Sequence, residues 1–139
     1  MALDPTTVPI ELINAALAVR MRAHAPYSNF LVGAAVKADD ATVYAGCNVE
    51  NASYGVTICA ERNAVAQMVA AGRRRAVEIA VTTTGGHPPC GACRQVLAEF
   101  AEGLVIWLVS VDTAGKPLSA QQTTLGELLP MQFSLPKEG

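Results

Sequence analysis

The chain has 139 residues, enough for one modest hydrophobic core, and 51% of them are apolar. Only 16% are charged, well below the roughly 25% of an average soluble domain, and so charge-poor a surface suggests cover by partner subunits. A net charge of −2, a pI near 5.6 and only three Phe, three Tyr and one Trp argue against a nucleic-acid partner, and no apolar stretch is long enough to span a bilayer.

In chain order, Ile10, Ile13, Leu17 and Met21 recur at helical spacing, predicting a helix over Pro9–Arg22 with Thr7 as its cap. It should stop before Pro26, because a proline disfavours the α region at the residue before it. Phe30–Lys37 and Thr42–Cys47 read as two strands joined by a turn at Ala38–Ala41, and residues 48–57 as a polar loop. Ile58–Ala71 reads as a helix closed by Gly72. The run Arg73-Arg74-Arg75 reads as an exposed link to a strand over Val77–Thr83. A loop at Gly85–Pro89, a helix at Gly91–Ala101 and a strand at Leu104–Val111 follow. Residues 113–124 read as a polar loop of weak pattern, and Thr124–Leu129 as a short last helix. The whole is a single domain over 1–139, with 1–8 and 134–139 as loose tails. Helices alternating with strands imply a layered α/β domain with helices on both faces of one sheet.

Three of the four cysteines fall in two short motifs, Cys59-Ala60-Glu61 and Pro89-Cys90-Gly91-Ala92-Cys93. Cys90 and Cys93 are three apart, at the start of a helix, and share a face. Cys59 precedes another helix, and the positive ends of both helices favour thiolate over thiol. Three thiolates make a zinc site one ligand short of four, and the open position is where catalytic zinc keeps its water. Glu61 is then a spare carboxylate beside the metal, which together with the paired cysteines is the signature of zinc deaminases. Glu61 would carry a proton from water to a ring nitrogen and then to the departing amine, while hydroxide adds to the ring carbon that bore it. Three thiolates and Zn²⁺ sum to −1, and Arg62, on the face of Cys59, offsets that charge through a ligating sulfur. Arg94 and Gln95 tie the second cysteine helix to its surroundings. Cys47 reads as a small buried hydrophobe, and neither His24 nor His87 has ligand spacing; His87 reads as a loop side chain near the entrance to the site. Metal-ligand spacing without an export signal places the chain in a reducing cytoplasm.

The segments Asn48-Val49-Glu50-Asn51-Ala52-Ser53-Tyr54-Gly55, Cys59-Ala60-Glu61-Arg62 and Pro89-Cys90-Gly91-Ala92-Cys93-Arg94-Gln95-Val96 resemble the small homotetrameric cytidine deaminases. Ala25–Phe30 before Val32–Ala35, and Leu128–Phe133, extend the resemblance over most of the chain. The resemblance implies a three-layer α/β/α sandwich with a central mixed five-stranded sheet. It implies one Zn²⁺ per subunit on Cys59, Cys90 and Cys93, with Glu61 as the proton shuttle. Asn48 and Glu50 would bind the ribose 3′-hydroxyl, and Phe30 would pack against the pyrimidine. The Pro89 carbonyl and the Ala60 N–H would read the base edge. Ala52 and Tyr54 from one neighbour and Phe133 from another would line each pocket of a homotetramer. The reaction implied is hydrolytic deamination of cytidine and 2′-deoxycytidine in pyrimidine salvage. Three other readings compete. A deaminase of another small molecule would not need Asn48-Val49-Glu50-Asn51, a polynucleotide editor would need a basic channel, and a structural zinc closed by Cys47 would leave Glu61 idle.

Overall fold

The computed structural model describes residues 1–137. Five strands form one mixed sheet in the order β2-β1-β3-β4-β5, where β1 is Gly33–Ala38, β2 Val43–Cys47, β3 Ala76–Thr84, β4 Val105–Val111 and β5 Pro117–Thr124. Only β3 and β4 run parallel; the other pairs are antiparallel. A parallel pair needs a crossover, and the helix α3 (Gly91–Phe100) supplies it. Strand alternation divides the side chains between two cores. Ala34, Val36, Ile79, Val81, Ile106 and Leu108 face α2 (Ala60–Ala70), α3 and the short α4 (Leu125–Leu128). Ala35, Ala80, Trp107, Val109 and Val111 face α1 (Ile10–Arg20). The α/β/α layering with a mixed five-stranded sheet is as expected.

Two glycines set how closely the layers approach. A Cβ at Gly33 would lie 2.1 Å from the Ala16 carbonyl oxygen of α1, and one at Gly46 would lie 2.3 Å from the Ala64 nitrogen of α2. Close approach also explains a correction to α1. Its buried side is Leu12, Ile13, Ala16 and Arg20, whereas Ile10 is 70% and Met21 61% exposed. The helix is apolar almost all round, so period alone could not choose a face, and the small Ala16 decides it. Pro9, not Thr7, stands at the N-cap of α1; Thr7 closes a separate 3-10 turn, Pro5–Thr7, capped by Asp4.

The N-terminal residues are not loose from Leu3 onward. Leu3 pairs with Ala120 through N–H···O bonds of 2.7 and 2.9 Å, and Val8 is buried under α1. The pairing partner belongs to β5, the strand that sequence reading left as a polar loop. It is an edge strand whose Gln121 and Gln122 face solvent, so it lacks the apolar signal of a central strand. Thr124 caps α4, accepting from the Glu127 N–H at 3.3 Å while its hydroxyl donates to the Glu127 carboxylate. Residues 129–137 form no strand or further helix and are largely exposed; 138 and 139, within the expected loose tail, lie outside the described residues.

Arg73 pairs with Asp40 at 2.8 Å, and Arg74 donates to the Val69 and Arg73 carbonyls, as a helix-to-strand link would. Gly72, at φ +90°, follows the last turn of α2 as predicted. Among the described residues, no helix is long and apolar enough to cross a membrane.

Candidate metal centre and substrate cavity

The parallel strand β3 ends at Thr84, and the loop over 85–89 leads from it to α3. Crevices beyond the carboxyl ends of such strands are where open α/β sheets bind ligands. Cys90 is the N-cap of α3 and Cys59 the N-cap of α2, and neither side chain makes a capping hydrogen bond. Their sulfurs are thereby turned toward each other, with Cys59 Sγ and Cys90 Sγ 4.0 Å apart and Cys90 Sγ and Cys93 Sγ 3.5 Å apart. All three lie within 4.8 Å of one another. Tetrahedral zinc with bonds of about 2.3 Å requires sulfur–sulfur separations of about 3.8 Å, so this donor set fits the ion. Cys47 is outside the cluster and lines a separate groove with Asn63 and Gln67.

The charges around the cluster show the same fit. Cys59 is held well below the usual thiol range, at about 5, by hydrogen bonds from Cys93 and from Arg62. Cys93, which donates to Cys59 and is buried, is pushed up. Three thiols this close cannot all ionise unaided, and a divalent cation removes that conflict. Arg62 Nη2 donates to Cys59 Sγ at 3.6 Å and to the Thr57 carbonyl at 3.3 Å. Its Nε is buried without a hydrogen-bond partner among the described residues.

Glu61, in the first turn of α2, is 5% exposed. Burial, with a smaller contribution from the Cys59 thiolate, raises its carboxyl to about 7. It lines a cavity of about 200 Å³ together with Cys59, Cys90, Ala60, Asn48 and Phe30. Asn48 is committed on two sides: its Oδ1 accepts from the Val32 N–H at 2.9 Å and its Nδ2 donates to the Phe30 carbonyl at 2.8 Å. The side chain thus takes the place of a strand neighbour for residues 30–32, which is why β1 starts at Gly33 rather than Phe30. Glu50 accepts from the Tyr27 and Ser28 N–H groups at 3.0 and 3.1 Å and from the Ser28 hydroxyl, which holds its carboxyl below the usual range.

Glu50 lies not in that cavity but in an adjoining groove with Tyr27, Ser28, Asn51, Tyr54 and Thr57. Ala52, Tyr54 and Phe133 are exposed, the last two by 80% and 67%, and none of the three reaches the cavity of its own chain. Pro89 is buried, and its carbonyl accepts from Arg94 Nε at 2.8 Å. Sequence reading missed Thr83 as a cavity residue; His87, read as a loop side chain near the entrance rather than a ligand, lines the cavity. The His87 ring meets Phe30 edge-on, with centroids 5.9 Å apart, and the His87 backbone N–H donates to the Thr83 hydroxyl at 2.8 Å. Position on the loop entering a cysteine helix was the only available signal for His87, and strand ends gave none for Thr83.

A family model described as the cytidine and deoxycytidylate deaminase zinc-binding region matches residues 7–109. The chain is 42% identical over 127 residues to a cytidine deaminase of Sporosarcina psychrophila, covering 89% of this chain and 90% of that one. It is 44% identical over 126 residues to a cytidine deaminase of Halalkalibacterium halodurans, covering 88% and 92%. The crystal structure of a cytidine deaminase from Burkholderia pseudomallei superposes with a TM-score of 0.80 at 46% identity, covering 89% of this chain and 98% of that one. That of a Mycobacterium tuberculosis cytidine deaminase gives 0.75 at 40% identity, covering 91% and 97%.

Proposed function

The chain belongs to the cytidine and deoxycytidylate deaminase zinc-binding family, and from that premise we propose that it hydrolyses cytidine and 2′-deoxycytidine to uridine and 2′-deoxyuridine, releasing ammonia. It is a hydrolase acting on cytidine-like substrates with zinc, as its family does. One observation carries the proposal: a buried, protonatable carboxylate, Glu61, beside three convergent cysteine sulfurs in a cavity walled by an aromatic ring and an amide.

Cys59, Cys90 and Cys93 would hold one Zn²⁺ per subunit. Bound there, zinc supplies Lewis acidity that lowers the pKa of water toward neutrality. Glu61 takes the proton of the attacking water on a carboxylate oxygen and delivers it to N3 of the pyrimidine. It then takes the proton of the hydroxyl added at C4 and gives it to the amino nitrogen, so that the C4 carbonyl forms as the C–N bond breaks and ammonia leaves. A carboxyl held at about 7 gains and loses that proton with little penalty near neutral pH. Phe30, braced by His87, packs against the ring. The Pro89 carbonyl, with a lone pair left after Arg94, and the Ala60 N–H read the base edge. Asn48 has a second N–H beyond the one given to Phe30, and Glu50 a carboxylate fixed by Ser28; both serve the 3′-hydroxyl. Arg62 offsets the charge of the sulfurs.

The cavity is smaller than the roughly 300–1,000 Å³ of an ordinary small-molecule pocket. That shortfall and the exposed Tyr54 and Phe133 support completion of each site by neighbouring copies in a homotetramer, with Ala52 and Tyr54 from one and Phe133 from another. The substrate is a free nucleoside rather than a nucleic acid or a membrane component. Residues 1–139 act as one domain, and free cysteines at ligand spacing support a cytoplasmic enzyme of pyrimidine salvage.

The test is ammonia release by zinc-loaded protein from cytidine, 2′-deoxycytidine, cytosine, adenosine, guanine, blasticidin S and a cytosine-containing single strand. Turnover confined to the two cytosine nucleosides is expected. Turnover of another compound alone would reassign the pocket, and none with any would leave zinc a structural role.

A further inference from the structure

Every side-chain tether on the last stretch of the described chain lands on one helix. Arg94 Nη1 donates to the Leu128 carbonyl at 2.8 Å, and Gln95 Nε2 donates to the Phe133 carbonyl at 3.2 Å. Lys137 Nζ donates to the Glu99 carbonyl at 2.8 Å and pairs with its carboxylate at 3.3 Å. Arg94, Gln95 and Glu99 all belong to α3, the helix that carries Cys93 and is capped by Cys90. Residues 129–137 make no ladder of their own, so these bonds set where Phe133 stands.

Arg94 reaches in two directions. While Nη1 holds Leu128, its Nε donates to the Pro89 carbonyl at 2.8 Å, immediately before the Cys90 ligand. A guanidinium presents these donors in a fixed planar fork, so one side chain fixes both carbonyls at once. A lysine at this position would offer one compact ammonium and could not hold both in the same geometry. Leu128 closes α4 and its carbonyl is one of the acceptors that a helix end leaves without an intrahelical partner.

We propose that Arg94 is a positioning residue, with Gln95 as a second point of attachment, that straps the Phe133 segment to the metal-ligand helix and fixes the Pro89 carbonyl facing the base. The inference rests on the nucleoside deaminase reading above, which gives Pro89 and Phe133 their substrate contacts. Its consequence is mechanical. The helix that holds the sulfurs of one site also sets the aromatic wall that the same chain offers to a neighbouring site.

The experiment compares the zinc-loaded enzyme with Arg94→Ala, Arg94→Lys and Gln95→Ala. In Arg94→Ala, KM for cytidine should rise about tenfold, the loss expected of one charge-assisted hydrogen bond. Its kcat should change far less, and zinc content should stay that of the parent. Amide hydrogen exchange across residues 129–137 should accelerate, and added methylguanidinium, but not methylammonium, should lower KM again. Arg94→Lys should fall between parent and alanine variant. Gln95→Ala, a milder change that keeps the fold if Arg94→Ala does not, should raise KM and speed exchange near residue 133. Parental KM and exchange in both alanine variants would overturn the proposal, as would zinc loss in step with activity. Parent enzyme inactive on cytidine would sink the deaminase reading instead, while exchange at 129–137 would still report on the strap.

Discussion

Glu61 lines the same cavity as Cys59 and Cys90, and under the proposed mechanism they do different work, so single substitutions should separate them. Glu61→Gln keeps the shape of a buried side chain and removes its proton traffic; turnover should fall roughly 10²–10⁴-fold with zinc retained, measured by steady-state kinetics beside metal analysis. Cys90→Ala should lose zinc and activity together. Asn48 has a structural role besides the one assigned to the sugar. Its amide is 7% exposed and serves Val32 and Phe30, so Asn48→Ala should cost about 1–3 kcal/mol of stability, read as a lower midpoint in thermal unfolding. The convergence of Cys59, Cys90 and Cys93 was legible in the sequence because Cys90 and Cys93 are three apart at a helix start and Cys59 begins the other helix that meets them. Thr83 was not, since what brings it to the cavity is the course of β3, and the edge contact of His87 with Phe30 depends on the loop that follows.

At the level of elements, the order of helices and the central strands could be read from period and breakers, and the errors have specific causes. The helix α1 offers apolar residues in nearly every direction, and its buried side follows from the contact of Ala16 with Gly33 rather than from its own pattern. The strand β5 is polar because it sits at an edge, and Leu3 and Ala120 complete a pairing that neither segment announces. The Gly33 contact leads to a direct test. Gly33→Ala would force a methyl to within 2.1 Å of a helix carbonyl, a clash that backbone must absorb. A loss of about 3 kcal/mol is expected, measured by denaturant unfolding. Near-parental stability would show that α1 is free to move off the sheet.

For the molecule as a whole, charge is sparse and Tyr54, Val56, Ile58, Phe133 and Leu135 are exposed, the surface that the proposed sharing of sites between copies would cover. If sites are shared between copies, two defective variants should repair each other. Glu61→Gln chains lack the proton carrier but keep Phe133, whereas Phe133→Ala chains keep Glu61 and lack the aromatic wall. Mixed oligomers, formed by dissociation and reassembly, should recover part of the parental activity that neither homomer has; mixtures no better than their components would count against shared sites. The idle capping positions of α2 and α3 carry a further consequence. Cys59 and Cys90 stand where Ser, Thr, Asp or Asn would normally satisfy the first N–H groups, and neither does so. A cation on both sulfurs would act as a clasp joining the beginnings of two helices, so stripping it should loosen structure as well as silence chemistry. Chelation should lower the melting temperature and quicken amide exchange in the first turns of α2 and α3 together, leaving the centre of the sheet protected.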